Sequence, residues 1–241
     1  THVYDVNHEG DQFYMVMEYV EGEDLEKRVT ATGPIALAAA VDLALQVVEG
    51  LAAAGKNGLV HGDLKPSNLL IDAKGTLRVL DLGLSQLTSA PAAGGVDESS
   101  EMASLRASSF HAPEQREHRG NIDTRSDLYS LGCSRYYLVT GQTPPLELTK
   151  SSDIDTVKAG LPEELKNAIL ALLAPSAEKR PQSLAEAKQL LETVKVTLPA
   201  PKPPAAKPPV KNGAAKPPLK ATGSGAMPVV SSSSSSPAEP K

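Results

Sequence analysis

The sequence is poor in the residues that build disulfides and aromatic clusters, because it has one cysteine, no tryptophan and only 3% aromatic residues. With Cys133 alone, no intrachain disulfide can form, which favours a reducing compartment, and we expect a cytoplasmic protein. Cys133 lies in an apolar helical run, so we interpret it as a small core residue. No uninterrupted apolar run reaches the roughly 18 residues of a membrane helix, and we expect no membrane segment in this chain.

Positive charge is also scarce in most of the chain. The formal net charge is −5, and the segment from Leu198 onward, with six Lys and one Glu, contributes +5, so the first 197 residues carry −10. An acidic body argues against nucleic acid as the main partner.

The end of the chain lacks the composition of a folded domain. From Leu198 onward it contains eleven of the 20 prolines, three Lys-Pro-Pro repeats, six consecutive serines and no aromatic residue. Such a segment buries too little apolar area to fold. We therefore predict a folded domain over residues 1–195 and a disordered tail with polyproline II character over residues 196–241. We interpret the tail as a spacer or as a basic segment that binds non-specifically, and the alternative is a ligand for a groove that binds proline-rich peptides.

The most informative stretch is H-G-D-L-K-P-S-N-L-L at residues 61–70. It holds the carboxylate of Asp63, the ammonium of Lys65 and the amide of Asn68 at fixed spacing in one short loop. These groups can face a hydroxyl, a phosphate and a metal ion, and phosphoryl transfer depends on such positioning and charge neutralisation. The alternative interpretation is an ordinary polar turn with an Asx cap.

Two further motifs follow, D-L-G at residues 81–83 and A-P-E at residues 112–114. With the first stretch they correspond, in order, to the H-R-D-L-x-x-x-N, D-F-G and A-P-E motifs of protein kinases, with Leu82 in place of the Phe. The chain resembles the eukaryotic-like (Hanks-type) serine/threonine kinases of bacteria, and Lys65-Pro66 favours the Ser/Thr class. The resemblance implies an α+β, protein-kinase-like fold with a mostly α-helical large lobe and a small lobe reduced to a β-hairpin.

The resemblance implies transfer of the γ-phosphoryl of ATP to protein Ser or Thr hydroxyls. Asp63 would orient or accept the hydroxyl proton, and Lys65 would stabilise the transferred phosphoryl group. Asn68, the third catalytic residue, and Asp81 would hold Mg²⁺. The implied cofactors are therefore ATP and Mg²⁺, and the implied partner is a protein substrate.

The segment M-E-Y-V at residues 17–20 resembles the linker whose main chain pairs with adenine. Met17, Glu18 and Val20 would then line the nucleotide, and Leu70 would lie beneath its base. The alternative is a plain core strand.

The resemblance also implies three contacts outside the catalytic loop. Glu114 would pair with Arg180, Asp127 would accept backbone N–H groups of the loop, and His61 and Leu82 would stack in the core between the lobes.

Residue patterning predicts most elements directly. We expect strands at residues 3–6 and 13–20, a short helix starting at Gly22, a long helix opened by Pro34 and a hairpin over residues 69–80. The final helices are expected at residues 162–173 and 183–196.

The sequence has no G-x-G-x-x-G loop, and its first lysine, Lys27, comes after the linker. The Lys–Glu pair of a complete small lobe is therefore not supplied in its usual place. We expect an N-terminally truncated kinase domain, inactive as an isolated fragment, rather than a natural remnant, because the loop residues are intact.

Two other functions compete. The missing nucleotide clamp suggests a pseudokinase or scaffold that binds partners through the large lobe. The letters H-G-D-L are also typical of small-molecule phosphotransferases such as aminoglycoside kinases, but the A-P-E motif, Asp127 and Arg180 favour a protein kinase.

Gly62 stands where the family usually has Arg, onto which a phosphate of the activation segment docks. We hypothesise that this protein does not switch through that contact, and a phosphomimetic series over residues 99–109 that strongly raised activity would contradict this. The Thr expected before A-P-E is replaced by Ala107, with Ser108 beside it.

Overall fold

The computed structural model describes residues 1, 3–10, 12–83, 109–117, 122–145 and 160–198. Of the predicted tail over residues 196–241, residues 199–241 lie outside the described residues, as do the activation-segment positions from Thr88 to Ser108.

The β-structure forms two small sheets. Strands β1 (Val3–Glu9) and β2 (Gln12–Met17) pair in antiparallel fashion around a turn at Gly10, where φ is +59°. Strands β3 (Gly22–Asp24), β4 (Leu69–Asp72) and β5 (Leu77–Val79) form a second sheet in that order. The predicted hairpin over residues 69–80 is confirmed.

Strand β3 replaces the predicted start of a helix at Gly22. A Cβ at this glycine would lie 2.3 Å from the carbonyl oxygen of Ile71, so only glycine allows this close pairing with β4. Helix α1 (Leu25–Thr32) begins after it, with the Asp24 side chain accepting the N–H of Lys27 at 2.8 Å. Asp24 is thus an N-cap, which explains where the strand ends and the helix starts.

The remaining helices build the larger part of the molecule. They are α2 (Leu37–Gly55), α3 (Pro113–Arg116), α4 (Thr124–Thr140), α5 (Glu163–Leu172) and α6 (Leu184–Thr197), with 3-10 turns at Pro66–Asn68 and Ala177–Lys179. The prediction that Pro34 occupies the first turn of α2 is wrong, since Ala36 is the N-cap.

Helix α4 is the centre of the core, because its residues are buried from Ser126 to Val139. Helices α2 and α5 both pack on α4, and α6 packs on α2. A Cβ at Gly132 would lie 2.9 Å from the Cβ of Leu172, so glycine permits the close approach of α4 and α5. Cys133, one residue on, is 1% exposed, and its prediction as a core residue is confirmed.

Helix α2 also has the length and hydropathy of a membrane span, although Asp42, Gln46 and Glu49 interrupt its apolar residues. Core helices of soluble proteins pass the same test, and here α2 contributes core residues between α4 and α6. Its polar face carries Asp42 and Glu49, which pair with Lys195 and Lys188 of α6 at 2.7 and 2.9 Å.

Candidate active site

Asp63 is the centre of a cluster of polar side chains in the loop between α2 and β4. The Lys65 Nζ lies 2.6 Å from Asp63 Oδ2. The Asn68 Nδ2 donates to the main-chain oxygen of Asp63 at 2.8 Å and to its Oδ2 at 3.3 Å. The 3-10 turn Pro66–Asn68 brings Asn68 back over Asp63, so the structure joins these three predicted residues.

The environment of Asp63 favours its ionised form. Burial raises the pKa of this carboxyl, but hydrogen bonds from His111 and Lys65 outweigh burial and hold the pKa below its usual range. Asp63 is therefore an anion at neutral pH, with its side chain 29% exposed. A charged, accessible acceptor of this kind can orient a hydroxyl group.

Asp81 follows β5 at the point where that strand returns to the loop. The Leu80 N–H donates to the main-chain oxygen of Asn68 at 2.9 Å. The Asp81 backbone has a φ of +56°, the one positive φ among described non-glycine residues. This conformation is uncommon, and such outliers cluster at functional sites. The chain thus brings Asp81 beside the loop that holds Asp63 and Asn68.

His61 connects the loop to β5 from within the core. It is 0% exposed, its Nε2 lies 2.9 Å from the oxygen of Leu80, and its Nδ1 accepts the N–H of Asp63 at 3.3 Å. Since Nδ1 is an acceptor, the Nε2 carries the hydrogen and donates to Leu80. The predicted burial of His61 is confirmed, but Leu82 is 37% exposed, and its predicted place in the same core is wrong.

Asp127 holds the backbone before Asp63. Its Oδ2 and Oδ1 accept the N–H groups of His61 and Gly62, both at 2.9 Å, which confirms the implied contact. Burial raises the pKa of Asp127 above its usual range, and the two backbone hydrogen bonds offset this only in part. Gly62 has a φ of +75°, so a residue other than glycine would be strained here.

The A-P-E segment is anchored to the same loop. Glu114 pairs with Arg180 at 2.7 Å, as the resemblance implied, and the Gln115 Nε2 donates to the main-chain oxygen of Gly62 at 2.7 Å. Helix α3 is therefore tied to the loop that carries Asp63.

His111, immediately before A-P-E, is a site residue that sequence reasoning missed. Its Nε2 lies 3.0 Å from Asp63 Oδ1, the oxygen opposite the one that Lys65 contacts. The two residues are 48 positions apart, and no motif letter specifies a histidine here. Only its position beside A-P-E was available as a signal.

A sequence profile of the protein kinase domain matches residues 1–198. The chain belongs to the protein kinase domain family. It is 38% identical over 143 residues to the serine/threonine-protein kinase PrkC of Bacillus subtilis, covering 59% of this chain and 21% of that protein. It is 32% identical over 188 residues to the serine/threonine-protein kinase PknB of Mycobacterium tuberculosis, covering 72% of this chain and 29% of PknB.

A comparison of structures agrees on the fold. The crystal structure of the Mycobacterium tuberculosis PknI kinase domain superposes with a TM-score of 0.63 at 22% identity, covering 79% of this chain and 70% of that one. The fold is thus the α+β protein-kinase fold. The chain spans less than a third of the length of PrkC and PknB, so the activities of those whole proteins do not follow from the match.

The predicted linker of this kinase domain lies between β2 and β3. Met17 ends β2, and Glu18 and Val20 are half-buried while Tyr19 between them is 90% exposed. Strand β3 then pairs Asp24 with Leu70 of β4. The sheet therefore brings the end of the linker to the strand that carries Leu70, and the adenine contacts of these residues stay a prediction.

The predicted magnesium ligands have suitable chemistry. Among described residues no group of three or more His, Cys, Asp or Glu side chains is arranged for a metal ion. The predicted pair is instead one carboxylate, Asp81, and one amide, Asn68. The Asn68 Nδ2 donates to Asp63, and the amide oxygen Oδ1 is the atom of Asn68 that can bind a cation. Mg²⁺ is typically held by one or two carboxylates together with substrate phosphates, which fits this set.

Proposed function

We propose that the protein containing this chain transfers the γ-phosphoryl group of ATP to Ser or Thr hydroxyls of protein substrates. The observation that carries the proposal is the convergence of Lys65 and Asn68 on an ionised Asp63, with Asp81 one residue beyond the Leu80–Asn68 hydrogen bond. The Ser/Thr class is supported by Lys65-Pro66 and by the relatives, which are serine/threonine-protein kinases.

Each loop residue has a role that its contacts permit. The Asp63 carboxylate, whose pKa is held below its usual range, is ionised and so can orient the attacking hydroxyl and accept its proton. The Lys65 ammonium has three donors, so it can keep its contact with Asp63 and still donate to a phosphoryl oxygen. Asn68 and Asp81 hold Mg²⁺, which when bound neutralises the charge of the phosphates. Met17, Glu18, Val20 and Leu70 bind the nucleotide base.

We also propose the division into a kinase domain over residues 1–195 and a tail over residues 196–241, and a cytoplasmic location for this chain. The first is supported by the change in composition near Leu198, and the second by the single cysteine. The protein substrate is recognised without any nucleic acid partner, in keeping with the acidic body.

The decisive test offers radiolabelled Mg-ATP to the full-length gene product with casein or with an aminoglycoside as acceptor. We expect label on casein, as phosphoserine or phosphothreonine after acid hydrolysis. Label on the aminoglycoside alone would overturn the protein-kinase proposal in favour of a small-molecule phosphotransferase.

The metal role has its own test in the same assay. Asp81→Asn removes the carboxylate charge while keeping a side chain that tolerates positive φ, so folding should be preserved. We expect loss of Mg²⁺-dependent transfer, whereas the control Asp42→Asn on the surface of α2 should keep it. Unchanged transfer by Asp81→Asn would refute the metal assignment.

A scaffold without catalysis is the second candidate, favoured by Gly62, which stands where the family usually has Arg. The two candidates differ in Mg-ATP binding by calorimetry. The kinase proposal expects saturable binding by the full-length gene product, and no binding together with no transfer would favour the scaffold.

A further inference from the structure

The Asp63 carboxylate is almost completely occupied by donors from the described residues. A carboxylate offers about four acceptor positions, two on each oxygen. Lys65 and Asn68 contact Oδ2 at 2.6 and 3.3 Å, and His111 contacts Oδ1 at 3.0 Å. Within this part of the chain, one acceptor position therefore remains, and it belongs to Oδ1.

The residues on either side of His111 are fixed in place. Phe110 is 7% exposed, and its ring packs edge-on against Tyr137 of α4 at a centroid distance of 6.1 Å. Ala112 is 0% exposed, and its N–H donates to the Gln115 side chain at 2.9 Å. The imidazole is thus held by a segment with two anchors in the large lobe.

This segment is also tied to the loop that carries Asp63. The same Gln115 side chain that accepts from Ala112 donates to the main-chain oxygen of Gly62, the residue before Asp63. One glutamine therefore links the residue after His111 to the residue before Asp63. The contact between the His111 and Asp63 side chains is thus made between two backbone segments that are hydrogen-bonded to the same side chain.

We propose that His111 is a positioning residue, which donates its Nε2–H to Asp63 Oδ1 and turns the carboxylate so that the one remaining acceptor position faces the arriving substrate hydroxyl. The inference rests on the proposed function and adds a residue to it. Either the neutral imidazole with hydrogen on Nε2 or the imidazolium can make this donation. The side chains of His111 and Asp63 are each 29% exposed, so both can be reached from solvent.

Three variants separate positioning from packing. Glutamine places an amide nitrogen near the position of the His111 Nε2, asparagine places it near Nδ1, and alanine removes the donor. In the full-length gene product we expect His111→Ala and His111→Asn to lower kcat about tenfold, the scale of a lost hydrogen bond to a charged group. We expect His111→Gln to stay within about threefold of the parent, and the KM for ATP to be unchanged in all three.

Two kinetic outcomes would overturn the inference. Equal loss in all three variants, together with lower thermal stability, would mean that the imidazole only packs. A rise in kcat/KM for His111→Ala would mean that the histidine obstructs the hydroxyl instead of aiming the carboxylate.

A second measurement does not depend on activity. The carboxyl carbon-13 shift of Asp63, assigned by its disappearance in Asp63→Asn, reports its titration. Since His111 lowers the pKa of Asp63, we expect that pKa to rise in His111→Ala and His111→Asn and to stay closer to the parent in His111→Gln. No change in His111→Ala would refute the contact itself. Absence of phosphoryl transfer by the parent protein, with the titration as expected, would instead refute the proposed function.

Discussion

Arg180 and Glu114, 66 positions apart, form a two-pronged ion pair in which Nη1 contacts Oε1 at 2.7 Å and Nη2 contacts Oε2 at 2.9 Å. The three remaining N–H groups of the guanidinium donate to main-chain oxygens of Ala174, Arg125 and Pro175. All five donors are thus used, and the side chain is 0% exposed. The pair joins the A-P-E segment to the 3-10 turn before Arg180.

Glu114→Gln should strongly destabilise the chain, because it leaves the buried guanidinium without its counter-charge. Breaking a buried pair in this way costs about 3–5 kcal/mol. The exposed pair of Lys188 with Glu49 is the control, and Lys188→Met should cost less than about 1 kcal/mol. Urea unfolding of the parent chain and the two variants measures both changes. Equal small losses of unfolding free energy would show that the Arg180–Glu114 ion pair contributes little to stability.

The same glutamate should give the chain an acid-sensitive stability. Burial raises the pKa of Glu114, but the hydrogen bonds from Arg180 and Ser126 lower it by more than burial raises it. The pKa of Glu114 in the folded chain therefore lies below its pKa in the unfolded chain. The stabilisation is then fully present above the unfolded pKa, about 4.3, and is lost as pH falls through the folded pKa.

Unfolding free energy measured between pH 6 and pH 3 should therefore fall less steeply in Glu114→Gln than in the parent chain. If unfolding free energy fell equally with pH in the two proteins, the pKa of Glu114 would not differ between the folded and the unfolded chain, which would contradict this prediction.

Gly62 should resist substitution because of its backbone and not because of lost side-chain contacts. At a φ of +75°, a left-handed conformation costs an L-residue about 1–2 kcal/mol, and this is the loss expected for Gly62→Ala. Gly55, the last residue of α2, has open space where the methyl group of an alanine would lie, so Gly55→Ala should be neutral or slightly stabilising. Equal effects of the two changes in urea unfolding would contradict the strain argument.

Contacts between residues could be predicted from the sequence where a motif of several residues specifies both partners. The resemblance to kinases implied that Asp127 holds the backbone of the loop and that Glu114 pairs with Arg180, and the structure confirms both. The hairpin of β4 and β5 was predicted from residue patterning, because a turn-forming glycine lies between two short apolar runs.

The remaining features depend on tertiary contacts that no local pattern encodes. Strand β3 has three residues and exists because Gly22 lets the backbone approach β4 closely. Leu82 was expected inside the core, but Asp81 takes a positive φ at that point, and Leu82 is 37% exposed. His111 reaches Asp63 from 48 positions away, and this distance in sequence leaves no periodic signal.

The central claim is that the Asp63 carboxylate orients the substrate hydroxyl and accepts its proton. Single-turnover phosphoryl transfer by the full-length gene product tests this claim most directly. We predict that Asp63→Asn lowers the transfer rate by about 10²–10⁴, the range for loss of a general base, with Mg-ATP affinity unchanged. The surface variant Asp42→Asn should transfer at the parent rate. Transfer by Asp63→Asn within a few-fold of the parent would contradict the account.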